Sequence, residues 1–96
     1  MIKIKLSEDY IEVKGHAGYD DFGKDIVCAS VSSIIITSIN AMVRIDSSCI
    51  DFSDNDGVYI KVLKHTEVID KLLENLKSLL QDLEKQYPNH IEIRRC

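Results

Sequence analysis

Tryptophan is absent from this 96-residue chain, proline occurs once and glycine four times. With so few breakers, most of the backbone is free to form regular elements. Aromatic residues make up only 6%, so a core must be built mainly from aliphatic side chains. Lys and Arg number 12 against 16 Asp and Glu, a formal net charge of −4. The cations form no dense run, which argues against direct nucleic-acid binding as the main task, since phosphate recognition needs concentrated positive charge. A mildly acidic chain is better suited to a basic polypeptide. Cys28, Cys49 and Cys96 show no Cys-x-x-Cys spacing, and an odd count leaves one thiol unpaired in any monomer. His16, Cys28, Cys49, His65 and His90 lack compact ligand spacing, so no metal is expected. Gly15-x-x-Gly18 lacks the lysine and the strand–loop–helix setting of a phosphate loop, and no cofactor is expected. Met1-Ile2-Lys3 enters a strand pattern with no signal-peptide core, which together with free thiols predicts a cytoplasmic protein.

The chain is 45% hydrophobic and 29% charged, the balance of a soluble globule. Its length predicts one domain over residues 1–96. Ile2, Ile4 and Leu6 alternate with Lys3 and Lys5, and Tyr10 to Lys14 resumes the alternation after Ser7-Glu8-Asp9, so residues 2–14 read as a hairpin. Gly15 ends it, and Gly18 to Lys24 reads as a loop. A helix follows from Asp25 to about Arg44 or Ile45. It has no charge from Ile26 to Val43, yet Ser30, Ser33, Thr37 and Asn40 share one face with Arg44. Cys28, Val31, Ile35, Ile39 and Met42 lie on another, the pattern of a two-faced helix sheltered on more than one side rather than a membrane span. Cys49, Ile50 and Phe52 suggest a third strand, Asn55-Asp56-Gly57 a hairpin turn and residues 58–63 a fourth strand. Thr66 caps a second helix whose stripe is Ile69, Leu72, Leu73, Leu76, Leu79, Leu80, Leu83 and Tyr87, with Pro88 as its stop. His90 to Arg94 alternates as a short last strand. The fold class is therefore α+β, a β-β-α-β-β-α-β sandwich of a mostly antiparallel or mixed five-stranded sheet with two helices.

The chemistry concentrates in residues 15–32. His16 and Cys28 supply a base and a nucleophile, the pair that thiol-based peptide hydrolysis requires. Cys28 stands where the helix begins, and the partial positive charge there favours thiolate over thiol. Gly15 leaves room beside His16, and Gly18 and Gly23 permit loop movement. Tyr19 and Phe22 read either as walls for a substrate or as pins holding the loop to the core. Asp25 is first a helix N-cap and second a possible orienter of the His16 imidazole. Ser32, one turn after Cys28, either bonds near the thiol or, more commonly for a helical serine, back to a helix carbonyl. Alone, Cys28 would more often be a small buried hydrophobe, and His16 a structural or solvated side chain. Cys49 reads as packed and Cys96 as terminal and exposed.

Gly15-His16-Ala17-Gly18-Tyr19 followed by Gly23-Lys24-Asp25-Ile26-Val27-Cys28-Ala29-Ser30-Val31-Ser32 closely resembles the bacterial ribosomal-processing cysteine protease family, Prp. The match in length and element order extends over nearly the whole chain, and residues 15–32 carry its specific part. The family histidine and cysteine fall on His16 and Cys28, its motif aspartate on Asp25 and its motif serine on Ser32. Where many members have a second alanine after the cysteine, this chain has Ser30. The resemblance implies a cysteine endopeptidase that removes the N-terminal extension of bacterial large-subunit ribosomal protein twenty-seven, cleaving after an aromatic residue in an apolar motif. It also implies a homodimer with a mobile loop at residues 18–24. The expected substrate-binding residues are Gly15, Gly18, Tyr19, Phe22, Gly23 and Ser32. Two alternatives remain: a non-catalytic, ribosome-associated peptide-binding dimer, and a purely structural dimerisation domain.

Overall fold

In a computed structural model of the chain, residues 1–15 and 26–95 are described. The element order is β1 (Ile2–Leu6), β2 (Tyr10–Lys14), α1 (Ile26–Ile45), β3 (Ile50–Asp54), β4 (Val58–Val62), α2 (Glu67–Gln86) and β5 (Ile91–Arg95). This is the order that the periodicities predict. The strands form one sheet in the order β3-β4-β2-β1-β5. All its neighbours are antiparallel except β1 and β5, which run parallel. The sheet is thus mixed.

Alternation sorts the sheet into two faces. Ile2, Ile4, Leu6, Ile11, Ile50, Ile60, Val62 and Ile91 are buried on one side. The registers Leu6↔Ile11, Ile11↔Ile60, Ile50↔Val62 and Ile2↔Ile91 bring them into a single layer. Lys3, Lys5, Glu12, Lys14, Lys61 and Arg94 alternate onto the other, open side, as expected of a sheet covered on one face. Both helices pack on the apolar side. Helix α1 contributes Val27, Val31, Ile35, Ile39 and Met42, and α2 contributes Ile69, Leu73, Leu76 and Leu80. At about 25 cal/mol per Å² of apolar surface removed from water, each such aliphatic side chain stabilises the fold by roughly 1.5–3 kcal/mol before entropy is counted.

Local chemistry fixes the ends of the elements. The Thr66 hydroxyl accepts the Ile69 N–H at 3.2 Å, and Glu67 and Asp70 sit in the first turn of α2. The Tyr87 N–H closes the last turn on the Leu83 carbonyl at 2.9 Å, just before Pro88. The outer edge of β5 is blunted where the Ile93 N–H donates to Glu84 Oε2 at 2.7 Å, so α2 covers a group that could otherwise template another strand.

Four expectations shift. Cys49 lies in the bend before β3 rather than on the strand, and β4 ends at Val62, leaving Leu63 outside it. Phe52 faces the same side as Ile60 yet is 50% exposed, because β3 is the outermost strand and the helices do not reach over it there. Leu79, on the flank of the α2 stripe, is also exposed. Helix α1 itself packs against the core and against α2. By length and composition it could cross a membrane, but its buried residues are built into the core. Ile26, Ala29, Ser33, Ile36 and Asn40 recur along its other side and are exposed.

Candidate active site

A cleft of about 570 Å³ opens at the end of the sheet where α1 begins. Three strand ends meet there. The register Val13↔Val58 sets the end of β2 beside the start of β4, and Lys3↔Lys14 sets it beside the start of β1. Ile2, Val13, Lys14 and Gly15 form one wall, Asp56, Gly57 and Val58 a second, and Cys28, Val31 and Ser32 of α1 the third. The cleft therefore has an apolar floor of Ile2, Val13, Val31 and Val58 and a polar rim.

Cys28 is the third residue of α1 and is half-buried, packed against the core on one side and facing the cleft on the other. The first turn of a helix carries partial positive charge, so a thiol there is in a setting that favours its anion. Ser32 follows one turn later, and its exposed side chain lines the same cleft. The expected back-bond of a helical serine is made instead by Ser30, whose Oγ donates to the Ile26 carbonyl at 2.7 Å. Ser32 makes no such bond among the described residues.

Gly15 is held in place by its backbone. Its φ is +91°, and a Cβ built on it would lie 2.5 Å from the Met1 carbonyl oxygen. Any side chain would have to displace the start of β1. The chain segment that follows therefore leaves β2 from a fixed point on the cleft wall.

Gly15, Cys28 and Ser32, three of the residues singled out from the sequence, thus surround one cleft. His16, Gly18, Tyr19, Phe22, Gly23 and Asp25 lie outside the described residues, as does Cys96. Sequence reasoning missed the wall made by Asp56, Gly57 and Val58. Asn55-Asp56-Gly57 signals a tight turn, but only the β2–β4 register shows that the turn abuts the end of β2.

Cys49 offers a contrast. It is fully buried at the far end of α1, with Sγ 3.6 Å from the Met42 carbonyl oxygen. Burial pushes its thiol up from the ordinary value, aided by the nearby Asp46 carboxylate. Among the described residues, no three His, Cys, Asp or Glu side chains are grouped to hold a metal ion.

The family model for cysteine protease Prp matches residues 1–92 of the chain. A ribosomal processing cysteine protease Prp of Mycoplasma genitalium is 32% identical, over 97% of this chain and 94% of its own. One of Staphylococcus aureus is 30% identical, over 82% of this chain and 78% of its own. The fold is shared with the crystal structure of the essential ribosomal processing protease Prp from S. aureus in complex with a covalently linked product peptide. That structure has a TM-score of 0.93 at 23% identity, with both chains covered in full.

Proposed function

Since the chain belongs to the cysteine protease Prp family, we propose that it is a ribosomal-processing endopeptidase. Its substrate on this reading is the N-terminal extension of large-subunit ribosomal protein twenty-seven, cleaved after an aromatic residue in an apolar motif. The observation that carries the reading is the position of Cys28, in the first turn of α1 and on the wall of a cleft large enough for several peptide residues.

His16 takes the proton from the Cys28 thiol, and the thiolate sulfur attacks the scissile carbonyl carbon. The carbonyl oxygen becomes an oxyanion, stabilised by the positive end of α1. The carbon–nitrogen bond then breaks, His16 gives its proton to the leaving amine, and a thioester remains on Sγ. Water, deprotonated by His16, attacks the thioester. The acid product leaves and the thiol is restored. Asp25 caps the helix and orients the imidazole. The apolar floor of Ile2, Val13, Val31 and Val58 suits the apolar motif of the substrate. Gly18, Tyr19, Phe22 and Gly23 are the further substrate-binding residues on this reading.

The enzyme acts in the cytoplasm as a homodimer. The uncovered stripe of Ile26, Ala29, Ser33, Ile36 and Asn40 on α1 supports the second copy, because small and apolar side chains allow two helices to approach closely. The test is incubation with the full-length ribosomal precursor followed by intact-mass analysis. Wild type is expected to release the extension and Cys28→Ala to release none. Full processing by Cys28→Ala would defeat the proposal.

A further inference from the structure

Among the described residues, the cleft rim carries one carboxylate that is left out of the hydrogen bonds and ion pairs. Asp56 is the single non-glycine among the described residues with a positive φ, +57°. Left-handed backbone is uncommon outside glycine, and aspartate is among the few residues that adopt it readily. The position is held from both sides. The Asp56 carbonyl accepts a hydrogen bond from the Tyr59 hydroxyl at 3.5 Å. A Cβ on Gly57, the next residue, would lie 3.0 Å from the Val13 carbonyl oxygen and 3.1 Å from Lys14 Cγ. The hairpin tip is thus pressed against the end of β2, and the Asp56 side chain is carried on a clamped turn at the cleft rim.

Its carboxylate makes no hydrogen bond or ion pair among the described residues. The other charged residue among those described on the cleft, Lys14, feels Asp56 only as a minor through-space charge, behind Tyr59 and Glu12. The Lys14 ammonium is committed to those two, 5.5 Å from the Tyr59 ring centroid and 3.8 Å from Glu12 Oε1. Tyr59 and Glu12 alternate onto the open face of the sheet, away from the helices. The hairpin itself, from Ile50 to Gly57, carries Asp51, Asp54 and Asp56 and no cation. Among the described residues, the uncommitted charge at the rim is therefore negative, while the floor is apolar.

We infer that Asp56 is a specificity-determining residue, which selects peptides carrying a lysine or arginine side chain within a few residues of the scissile bond. This rests on the protease reading of the cleft. An apolar stretch fills the floor while the cation reaches the rim and pairs with the Asp56 carboxylate. An exposed pair of this kind is worth at most roughly two- to fivefold in kcat/KM.

The test walks a single lysine through the positions on either side of the cleavage site in an otherwise neutral peptide, with glutamine as the reference at each. Wild type is expected to favour lysine over glutamine at one position. Asp56→Asn should bring that ratio to one, and Asp56→Lys should turn the preference to glutamate. The same peptides are titrated by fluorescence anisotropy against Cys28→Ala protein with and without Asp56→Asn, a readout that needs no cleavage. Lysine-to-glutamine ratios that do not change on Asp56→Asn substitution, in both rate and affinity, would overturn the inference. Failure of wild type to cut any peptide would overturn the protease reading instead, while the affinities still decide the role of Asp56.

Discussion

The two ends of the sheet are built differently. At one end, β2 finishes, β4 starts and α1 begins around an open cleft that holds Cys28. At the other end, the turns are stitched together. The Cys49 carbonyl accepts from Leu63 N–H at 2.7 Å and Lys64 N–H at 3.2 Å, and the Asp9 carbonyl accepts from Val62 N–H at 2.8 Å. Asp46 takes Ser48 Oγ at 2.6 Å and Lys64 Nζ at 3.2 Å. His65 bridges Asp9 and Asp70, at 2.5 Å to each. Lys77 Nζ reaches the Ser7 carbonyl at 3.0 Å. Helix α1 runs between these ends, and each carries a cysteine. One thiol meets a cleft at the positive end of the helix. The other is sealed in the core beside a last-turn carbonyl. On the proposed reading the chemistry falls at the end with room, while the turns at the other end are tied by hydrogen bonds and ion pairs.

The largest expected effect separates the two cysteines. Cys28→Ala should lower turnover on the order of 10³-fold or more while costing less than about 1 kcal/mol of stability. Cys49→Ala should do the reverse, leaving turnover intact and costing roughly 1–2 kcal/mol through the lost packing. Urea midpoints and precursor cleavage, measured on both variants, break the comparison if the two losses fall on the same residue. Next comes Gly15→Ala, which forces a Cβ onto the Met1 carbonyl at a φ of +91°. A cost of about 1–3 kcal/mol is expected, with loss of cleavage, and a wild-type midpoint would show that the turn is not constrained.

Native alkylation gives a third reading: iodoacetamide followed by peptide mapping should label Cys28 and spare Cys49 until denaturant is added. The stitched end should respond to pH. Hydrogen bonds to Asp70 and then to Asp9 raise the His65 imidazole above its ordinary value. The raised value means that the folded state holds this proton more tightly than the unfolded chain does. The contribution is therefore full below the unfolded value of about 6.5 and is lost as pH rises through the folded one. His65→Gln should flatten the fall in urea midpoint over that window, and an unchanged slope would remove His65 from the account. The smallest effect belongs to Asp46, held at about 2 by the Ser48 hydroxyl, the Ser48 N–H and Lys64. Its contribution is present above the ordinary carboxylate value of about 3.9 and is lost as pH falls towards about 2. Asp46→Asn should matter only above that window, and equal midpoints there would mark the contacts as neutral.

The elements were legible in the sequence because each declares its own period. Ile2, Ile4 and Leu6 need no partner to read as a half-buried strand, and the leucines of α2 none to read as a helix face. The strand order was not legible, because it depends on pairings such as Ile11↔Ile60 across a helix and a hairpin. The cleft inherits that difficulty. Cys28 and Gly15 draw attention as residue types in a motif, whereas Asp56 looks like any turn aspartate until the register sets it beside β2. Phe52 shows the same limit: alternation gives its face, but only the sheet order reveals that the strand is outermost.

The parallel pairing of β1 with β5 has a consequence for how the protein is made. Ile2 waits for Ile91 as its neighbour, so a nascent chain exposes one edge of β1 until the codons for β5 have been read. Vectorial synthesis can prepare the hairpin and the helices, but the sheet closes only after β5 clears the exit tunnel. A translation product stalled before that point would keep the edge open and ready to pair with another chain.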